Sequence, residues 1–351
     1  MKRLYTLIAI FFAALSAYQL KAQDVVDVIT NVNQPTAIFI DGDDMYYGDF
    51  VGGLSKVQLS DPVNPIVVYP STGVYRTALN GNDLFITAIN DGLIVKIDIT
   101  ESEPTAIEVA SNIALPSGIA ILDDILYFSS QGGLGIVGKL DLTETNPQAT
   151  IVQSGFSNPT GIAIIGTDLY VAEFFGNRVS KIDLNDSNPT IVEVATGLEN
   201  PTALLANGNQ LFVSEIGGNK VSTIDLGTEP ALVEDLVTGL TEPTGLFLEG
   251  TDLYISVFGE NKIVKYAMPS VGLDYLNSSS DQLSVFPNPS SDFIQISDLD
   301  QKENYRIYSL LGLEVGSGNI SPQENIDIQY LDSGIYMLIF DDGSTMNFMK
   351  E

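Results

Sequence analysis

The segment 158–184, NPTGIAIIGTDLYVAEFFGNRVSKIDL, is the clearest copy of a unit that occurs six times in the chain. A proline or its equivalent opens each copy, and consecutive openings lie 39, 42, 43, 42 and 42 residues apart. The six opening residues are Pro35, Val74, Pro116, Pro159, Pro201 and Pro243. Alternating apolar residues, β-branched residues and intervening Gly, Asn and Pro are typical of short strands joined by turns.

A fixed period near forty residues, with several strands in each unit, indicates a β-propeller. The fourth copy accommodates four strands, at 160–165, 168–173, 178–184 and 190–195. The sixth copy ends after its third strand, and the segment 25–32 (VVDVITNV) resembles the missing fourth one. We therefore predict an all-β chain with a six-bladed propeller at 23–268. Its N-terminal strand closes the last blade, because closure removes exposed sheet edges.

Composition excludes several functional classes. The 351 residues include 45 acidic and 15 basic ones, for a formal net charge of −30. Such a surface repels nucleic acid and anionic lipid, whereas divalent cations and basic partners remain open. The chain has no Cys and no His, which excludes a thiolate nucleophile, a Ser-His-Asp triad and Cys or His metal ligands.

The first 22 residues are typical of a secretory signal peptide. Lys2 and Arg3 precede a short apolar run at 7–15 (LIAIFFAAL), and cleavage is expected between Ala22 and Gln23. The run is too short to favour a permanent span. We therefore expect no transmembrane anchor in the mature protein.

The runs 159–164 (PTGIAI), 169–173 (LYVAE) and 176–179 (GNRV) together resemble the NHL-type propeller repeat. The resemblance extends over about 24–268 and implies a binding platform, which is the main role of NHL-like propellers. Related six-bladed folds include the gluconolactonases and the paraoxonase-like lactonases, which hold a metal in the central channel with Glu, Asn and Asp side chains. Fold similarity alone does not transfer that chemistry. A metal-dependent hydrolase of the lactonase kind is the alternative function.

Departures from the repeat mark the candidate ligand-binding residues, because features shared by nearly every blade are architectural. The second position after the opening residue is small in five copies: Ala37, Gly118, Gly161, Ala203 and Gly245. The second copy has Arg76 there, preceded by Tyr75, so a long basic side chain is expected to reach the central channel. Three copies end their second strand in an acid, at Asp49, Glu173 and Glu215.

These five residues are expected to share one rim of the propeller, and two interpretations remain open. In the first, Arg76 neutralises Glu173 or Glu215 across the channel, and the acids accept backbone hydrogen bonds from the turns between the second and third strands. In the second, the rim binds a polar ligand, a protein partner or a divalent cation such as Ca²⁺, whose oxygen coordination is flexible. We predict a non-catalytic binding or adhesion platform. A purely structural surface protein is the third possibility.

A polar linker at 269–282 separates the repeats from short alternating strands at 283–351, enough for a small β-sandwich. The distinctive residues of this C-terminal segment are Phe286, Pro287, Asn288, Pro289, Gly312, Gly334, Tyr336 and Lys350. Together they resemble the type A C-terminal sorting domain of the bacterial type IX secretion system. The resemblance implies handling by the type IX machinery of a Gram-negative bacterium. It further implies export across the outer membrane, followed by release or attachment at the cell surface.

Overall fold

The repeated units fold into six four-stranded antiparallel sheets, the blades of a β-propeller. The structure, a computed structural model, describes residues 25–268 and, in the C-terminal part, 284–297, 299, 301–309, 314–331, 334–340 and 345–350. The chain divides into two compact units, Met1–Pro269 and Ser270–Glu351. The expected cleavage site at Ala22 and Gln23 and the predicted linker at 269–282 lie outside the described residues.

The strands of each blade are named a to d from the propeller axis outwards. The first strand of the chain is β1 (Val25–Thr30). Blades 1 to 3 contain β2 (Pro35–Asp41), β3 (Asp44–Asp49), β4 (Gly53–Gln58) and β5 (Asp61–Tyr69); β6 (Val74–Asn80), β7 (Asp83–Ala88), β8 (Leu93–Asp98) and β9 (Ile107–Ala110); β10 (Pro116–Leu122), β11 (Ile125–Ser130), β12 (Ile136–Asp141) and β13 (Thr150–Ser154). Blades 4 to 6 contain β14 (Pro159–Ile165), β15 (Asp168–Glu173), β16 (Arg178–Asp183) and β17 (Val192–Thr196); β18 (Pro201–Asn207), β19 (Gln210–Glu215), β20 (Lys220–Asp225) and β21 (Leu232–Thr238); β22 (Pro243–Glu249), β23 (Asp252–Val257) and β24 (Lys262–Ala267). A short 3-10 turn, Phe258–Glu260, lies between β23 and β24.

Blade 6 receives its outermost strand from the start of the propeller sequence. β1 pairs antiparallel with β24, from Val25 opposite Tyr266 to Thr30 opposite Lys262. Ile29, on the same strand, is buried against blade 1 and blade 6. The predicted closure of the ring by the N-terminal strand is therefore confirmed.

One apolar cluster lies between each pair of neighbouring blades, and the six clusters together form the core of the propeller. Between blades 4 and 5, for example, Tyr170 and Ala172 pack with Leu204 and Leu211. Alternate residues of a strand point to opposite faces, so each strand b contributes to the clusters on both sides of its blade. The blades are therefore held by packing face to face, as the alternating sequence pattern predicts.

A lysine in strand c is paired with the first acid of strand b in four blades, which identifies this repeated charge as part of the scaffold. The pairs are Lys56–Asp44 at 2.7 Å, Lys96–Asp83 at 2.6 Å, Lys181–Asp168 at 2.6 Å and Lys265–Asp252 at 2.8 Å.

The C-terminal unit consists of two sheets that share one apolar core. The strands are β25 (Val285–Phe286), β26 (Phe293–Ile296), β27 (Glu303–Ser309), β28 (Glu314–Ile320), β29 (Asn325–Asp327), β30 (Gly334–Phe340) and β31 (Thr345–Lys350). One sheet has the order β25-β26-β29 and the other β28-β27-β30-β31. Ile294 and Ile326 of the first sheet are buried with Ile307, Leu338 and Phe348 of the second. No helix within the described ranges is long and apolar enough to cross a membrane.

Candidate functional site

Strand a lines the propeller axis, and in every blade its register against strand b shifts near its start. In blade 4, Pro159 lies opposite Glu173 and Ile162 lies opposite Val171, so strand a carries one extra residue. Such a bulge bends a strand and changes the direction of its side chains. The second and third residues of each strand a therefore have special roles: the second contacts the next blade, and the third lines the channel.

The second residue of strand a links neighbouring blades through a buried hydroxyl group. These donations run from Thr36 to the Val74 carbonyl (2.6 Å), from Ser117 to Pro159 (3.0 Å), from Thr160 to Pro201 (2.9 Å) and from Thr244 to Pro35 (2.7 Å). Each bond satisfies a carbonyl oxygen near the bulge, where a buried acceptor would otherwise remain unpaired. Two blades lack this bond: blade 2 has Tyr75 at the position, and the Thr202 hydroxyl of blade 5 donates to the Ser214 carbonyl of its own blade at 3.4 Å.

The third residue is small because the backbone of the next blade lies against it. A Cβ atom at Gly161 would lie 2.6 Å from the Thr202 carbonyl oxygen, and one at Gly245 would overlap the carbonyl oxygen of Thr36. This contact confirms that small residues are required here for steric reasons. Arg76 is the exception in blade 2.

Arg76 extends from blade 2 to blade 6, two blades away around the ring. Its Nη2 donates to the Thr244 carbonyl oxygen at 3.2 Å and its Nη1 to the carbonyl oxygen of Tyr75 at 2.7 Å. The Tyr75 ring centroid lies 4.3 Å from the guanidinium carbon. The Nε atom is buried without a hydrogen-bond partner. Burial lowers the pKa of Arg76, an effect that the neighbouring Tyr75 opposes.

The channel beside Arg76 contains a cavity of about 330 Å³. Its wall is formed by the third to sixth residues of strands a, among them Ile38, Phe39, Leu246 and Phe247. Arg76 is the one charged side chain among the residues that line this cavity, and no carboxylate belongs to that set. The cavity therefore presents a mainly apolar wall, with one cationic group, Arg76, at the level of the bulge and one hydroxyl-bearing residue, Thr77, beside it.

Asp49 and Glu215 bind backbone N–H groups of the neighbouring loops. Asp49 accepts from Val51 at 3.0 Å and Gly52 at 2.7 Å, both in the turn between strands b and c, and also from Asn33. Glu215 is fully buried and accepts from the Glu199 N–H at 2.6 Å. The contacts of Asp49 with the turn between strands b and c agree with the first interpretation. Glu215 instead accepts its backbone hydrogen bond from the loop that precedes strand a, which that interpretation did not expect.

Glu173 is also fully buried and makes the most complete set of contacts. It accepts from the Ser157 N–H at 2.7 Å, from Arg178 Nε at 2.7 Å and Nη2 at 3.1 Å, and from Ser180 Oγ at 2.5 Å. Burial raises the pKa of a carboxyl group, but these donors outweigh burial and lower the pKa of Glu173. The carboxylate is thus occupied by its own blade.

The first interpretation also paired Arg76 with Glu173 or Glu215, and the structure contradicts that ion pair. Every ion pair of these two acids within residues 25–268 is made with a cation of their own blade, Arg178 or Lys220. The reason is the bulge, which directs Arg76 along the channel instead of toward the turn between strands b and c. The five candidate residues therefore do not form one rim cluster: Tyr75 and Arg76 lie at the channel, and the three acids support the loops.

The described part of the chain contains no group of three or more acids arranged to hold a metal ion. The channel lining likewise contains no Asp, Glu or Asn side chain that could coordinate a cation. The residues present therefore do not fit the metal site of the lactonase alternative, and the prediction of Ca²⁺ gains no ligand set.

In the C-terminal unit, Asn288 fastens the last strand. Its Nδ2 donates to the Asn347 carbonyl oxygen at 3.2 Å, and its Oδ1 accepts from the Met349 N–H at 2.8 Å. Tyr336 stacks on Phe348 with ring centroids 5.6 Å apart.

The other predicted motif residues that the structure describes lie beside Asn288 or on β30 and β31. Gly334 pairs with Lys350, and the Phe286 side chain is 45% exposed. Pro287 and Pro289 flank Asn288, and Gly312 lies outside the described residues.

Segment 284–350 matches the family of secretion system C-terminal sorting domains. The match confirms the predicted sorting domain and shows that the chain carries a tail for export by the type IX secretion system. The destination is therefore the cell surface or the medium, and the secretion machinery is a partner.

Solved β-propeller structures resemble most of the remaining chain. A virginiamycin B lyase from Staphylococcus aureus aligns with a TM-score of 0.52 and 17% identity, over 70% of this chain and 98% of the lyase. A luciferin-regenerating enzyme aligns at 0.57 and 13%, over 72% and 96% of the two chains. A protein described as a gluconolactonase aligns at 0.59 and 13%, over 71% and 93%.

At such identities the likeness shows the propeller fold alone. A search of curated protein sequences finds no match. The NHL-type character of the repeat stays a prediction.

The sequence prediction missed the ring of hydroxyl groups at the second position of strand a. The signal was present, because that position is Thr or Ser in five of the six copies: Thr36, Ser117, Thr160, Thr202 and Thr244. A polar residue repeated at a position beside the axis indicates a buried structural hydrogen bond. Its absence at Tyr75 then strengthens the case that blade 2 is specialised.

Proposed function

We propose that the protein is an exported or surface-attached β-propeller that binds a small molecule in its central channel and performs no chemistry on it. The sorting domain supports the location, and the resemblance to NHL-type repeats supports a binding role. The proposed binding site lies in the channel, whereas the sequence suggested a site on the rim. The three acids are excluded from the site because their oxygen atoms already bind loop and side-chain donors.

The observation that carries the proposal is the buried, unpartnered Nε of Arg76 beside the cavity. Arg76 as a whole is half-buried, its Nε is shielded from solvent, and no carboxylate lines the cavity, so the cation has no counterion among the lining residues. Five blades have Gly or Ala as the third residue of strand a, so the scaffold does not require a cation at this position. The cavity volume, about 330 Å³, lies at the lower end of the range for small-molecule pockets.

Filling the channel tests this function. Ala78 lines the cavity and also contacts the apolar cluster between blades 2 and 3. Ala78→Trp should occupy the space that a ligand needs, and a thermal melt equal to that of the wild type is required to show that the blades still pack. Ala149, an exposed residue at the outer edge of blade 3, provides the matched control Ala149→Trp. Native mass spectrometry of the full chain with a panel of anionic, neutral and cationic small molecules should detect complexes of the wild type and of Ala149→Trp. Equal retention of every panel member by Ala78→Trp would refute the channel as the site.

A further inference from the structure

We infer that the channel ligand is a monoanion with an apolar body, a medium-chain or aromatic carboxylate, and that Arg76 binds its carboxylate group. This inference rests on the proposed function, because it takes the channel as the binding site. It adds the chemical class of the ligand and names the residue that selects it.

The donor inventory of Arg76 indicates a carboxylate. A guanidinium group has five N–H donors in a fixed plane. Two of them serve the carbonyl oxygens of Tyr75 and Thr244. The buried Nε has no acceptor among the described residues. Each terminal nitrogen retains one further N–H, and Arg76 lines the cavity, so these two donors are available to the two oxygens of a carboxylate.

Arg76 is positioned before any ligand arrives. The Tyr75 ring covers the guanidinium, with 4.3 Å between the ring centroid and Cζ, and the carbonyl of Thr244 holds the far end of the side chain. A cation–π contact of this kind is stronger when it is shielded from water. Little side-chain freedom is then lost on binding, which favours affinity. Tyr75 and Arg76 thus act together, and both depart from the repeat.

The wall of the cavity selects the rest of the ligand. Near Arg76 the channel is lined by Ile38, Ile162, Leu204 and Leu246, and further along it by Phe39 and Phe247. These side chains offer no hydrogen bonds to a sugar or a second charged group, and a buried polar group without a partner is destabilising. A dianion such as phosphate would place a second charge beside apolar groups. A single carboxylate on a hydrocarbon or aryl body satisfies both the cation and the wall.

The charge of the protein sets a further expectation. The whole chain has a net charge of −30. The turns that connect strand a to strand b also carry acids, such as Asp43 and Asp123. Anions are therefore repelled from the surface in general, and this repulsion weakens as salt screens it. A contact with the half-buried cation inside the channel is screened less. Affinity for the carboxylate should therefore hold or rise with ionic strength, whereas adsorption to surface lysines should fall.

The test compares octanoate with octanamide, which has nearly the same shape and no charge. Isothermal titration of the full chain should show octanoate binding at least about tenfold tighter than octanamide, as expected for a charge-assisted contact. Arg76→Met should weaken octanoate about thirtyfold and leave octanamide almost unchanged. Arg76→Lys keeps the charge without the fork and should give an intermediate loss. The control Lys96→Met removes a cation of the same blade that is paired with Asp83, and it should bind like the wild type.

The outcomes separate this inference from the proposed function. Equal affinity for octanoate and octanamide, both lost in Ala78→Trp, would overturn the carboxylate inference and support binding in the channel. Octanoate binding that survives Arg76→Met and Arg76→Lys would overturn the inference as well. The inference is also overturned if octanoate does not bind while another panel molecule binds the wild type and fails to bind Ala78→Trp. Thermal melts of both Arg76 variants verify that the propeller remains folded.

Discussion

Replacing Glu173 with Gln tests the conclusion that the acids at the end of strand b are structural. The buried carboxylate accepts four hydrogen bonds, from Ser157, from Ser180 and twice from Arg178. A Gln side chain has one acceptor oxygen, so its amide group would face two of these donors. Each donor left unpaired costs about 1–3 kcal/mol. Arg178 is 32% exposed and regains water, which reduces its share. We expect a loss of about 3 kcal/mol.

Thermal unfolding of the full chain measures this loss as a shift of the propeller transition. For a unit of this size, about 3 kcal/mol corresponds to a decrease in Tm of about 6–10 °C. The control is Glu193→Gln, which removes the other acid beside Arg178. Glu193 is 55% exposed and 3.4 Å from the guanidinium, so its loss should change stability by less than about 0.5 kcal/mol. Equal shifts for the two variants would refute the structural role of Glu173.

The difference in stability between the wild type and Glu173→Gln should depend on pH, and the sign of that dependence follows from the pKa of Glu173. The folded-state pKa of Glu173 is lower than its unfolded value, because hydrogen bonds from Arg178, Ser180 and Ser157 outweigh burial. Its contribution to stability is therefore complete above the unfolded pKa, about 4.3, and is lost as the pH falls through the folded value. The Tm difference between the wild type and Glu173→Gln should be constant from pH 7 to about pH 5 and should narrow below about pH 4. A difference that widens with acid would contradict this assignment.

Three further substitutions probe the scaffold. Gly245→Ala should destabilise the propeller by about 1–3 kcal/mol, because the added Cβ overlaps a carbonyl oxygen of blade 1. The control is Gly227→Ala, whose added Cβ meets only side-chain atoms. Equal thermal shifts for the two variants would contradict the steric argument. Ile29→Ala should cost about 2–5 kcal/mol in urea unfolding because Ile29 is 5% exposed between the first and last blades, and Val26→Ala, at 53% exposure, should be nearly neutral. Asn288→Ala should lower the Tm of the C-terminal unit alone, because it removes two hydrogen bonds to the last strand, each worth about 1 kcal/mol. A shift of the propeller transition instead would contradict the role of Asn288 in holding the last strand.

The repeat made most of the propeller predictable. In blade 4 the four predicted strands agree with the observed ones to within about two residues at each end, because alternation and turn residues recur in every copy. The resemblance between 25–32 and the fourth strand of a blade was enough to predict ring closure. Even the small residue at Gly161 was interpreted correctly, as a steric requirement.

The candidate site was only half predictable. Comparison of the copies singled out Arg76, Glu173 and Glu215, but it could not say which of them touch. That depends on the bulge in strand a, whose extra residue leaves no distinct mark in the alternation of apolar side chains. Loop donors such as the Ser157 N–H were also invisible, since any residue except proline supplies a backbone N–H.

The pairing of β1 with β24 also bears on when the propeller closes during folding. Val25 lies opposite Tyr266, 266 − 25 = 241 positions later in the sequence. Contacts so distant in sequence form late, and a ribosome releases the N-terminal partner long before the C-terminal one exists. Until that join is made, five complete blades can stack, but the axis is not enclosed. Blade 6 contributes Leu246 and Phe247 to the channel wall, so a chain that has not formed this join would leave the wall incomplete.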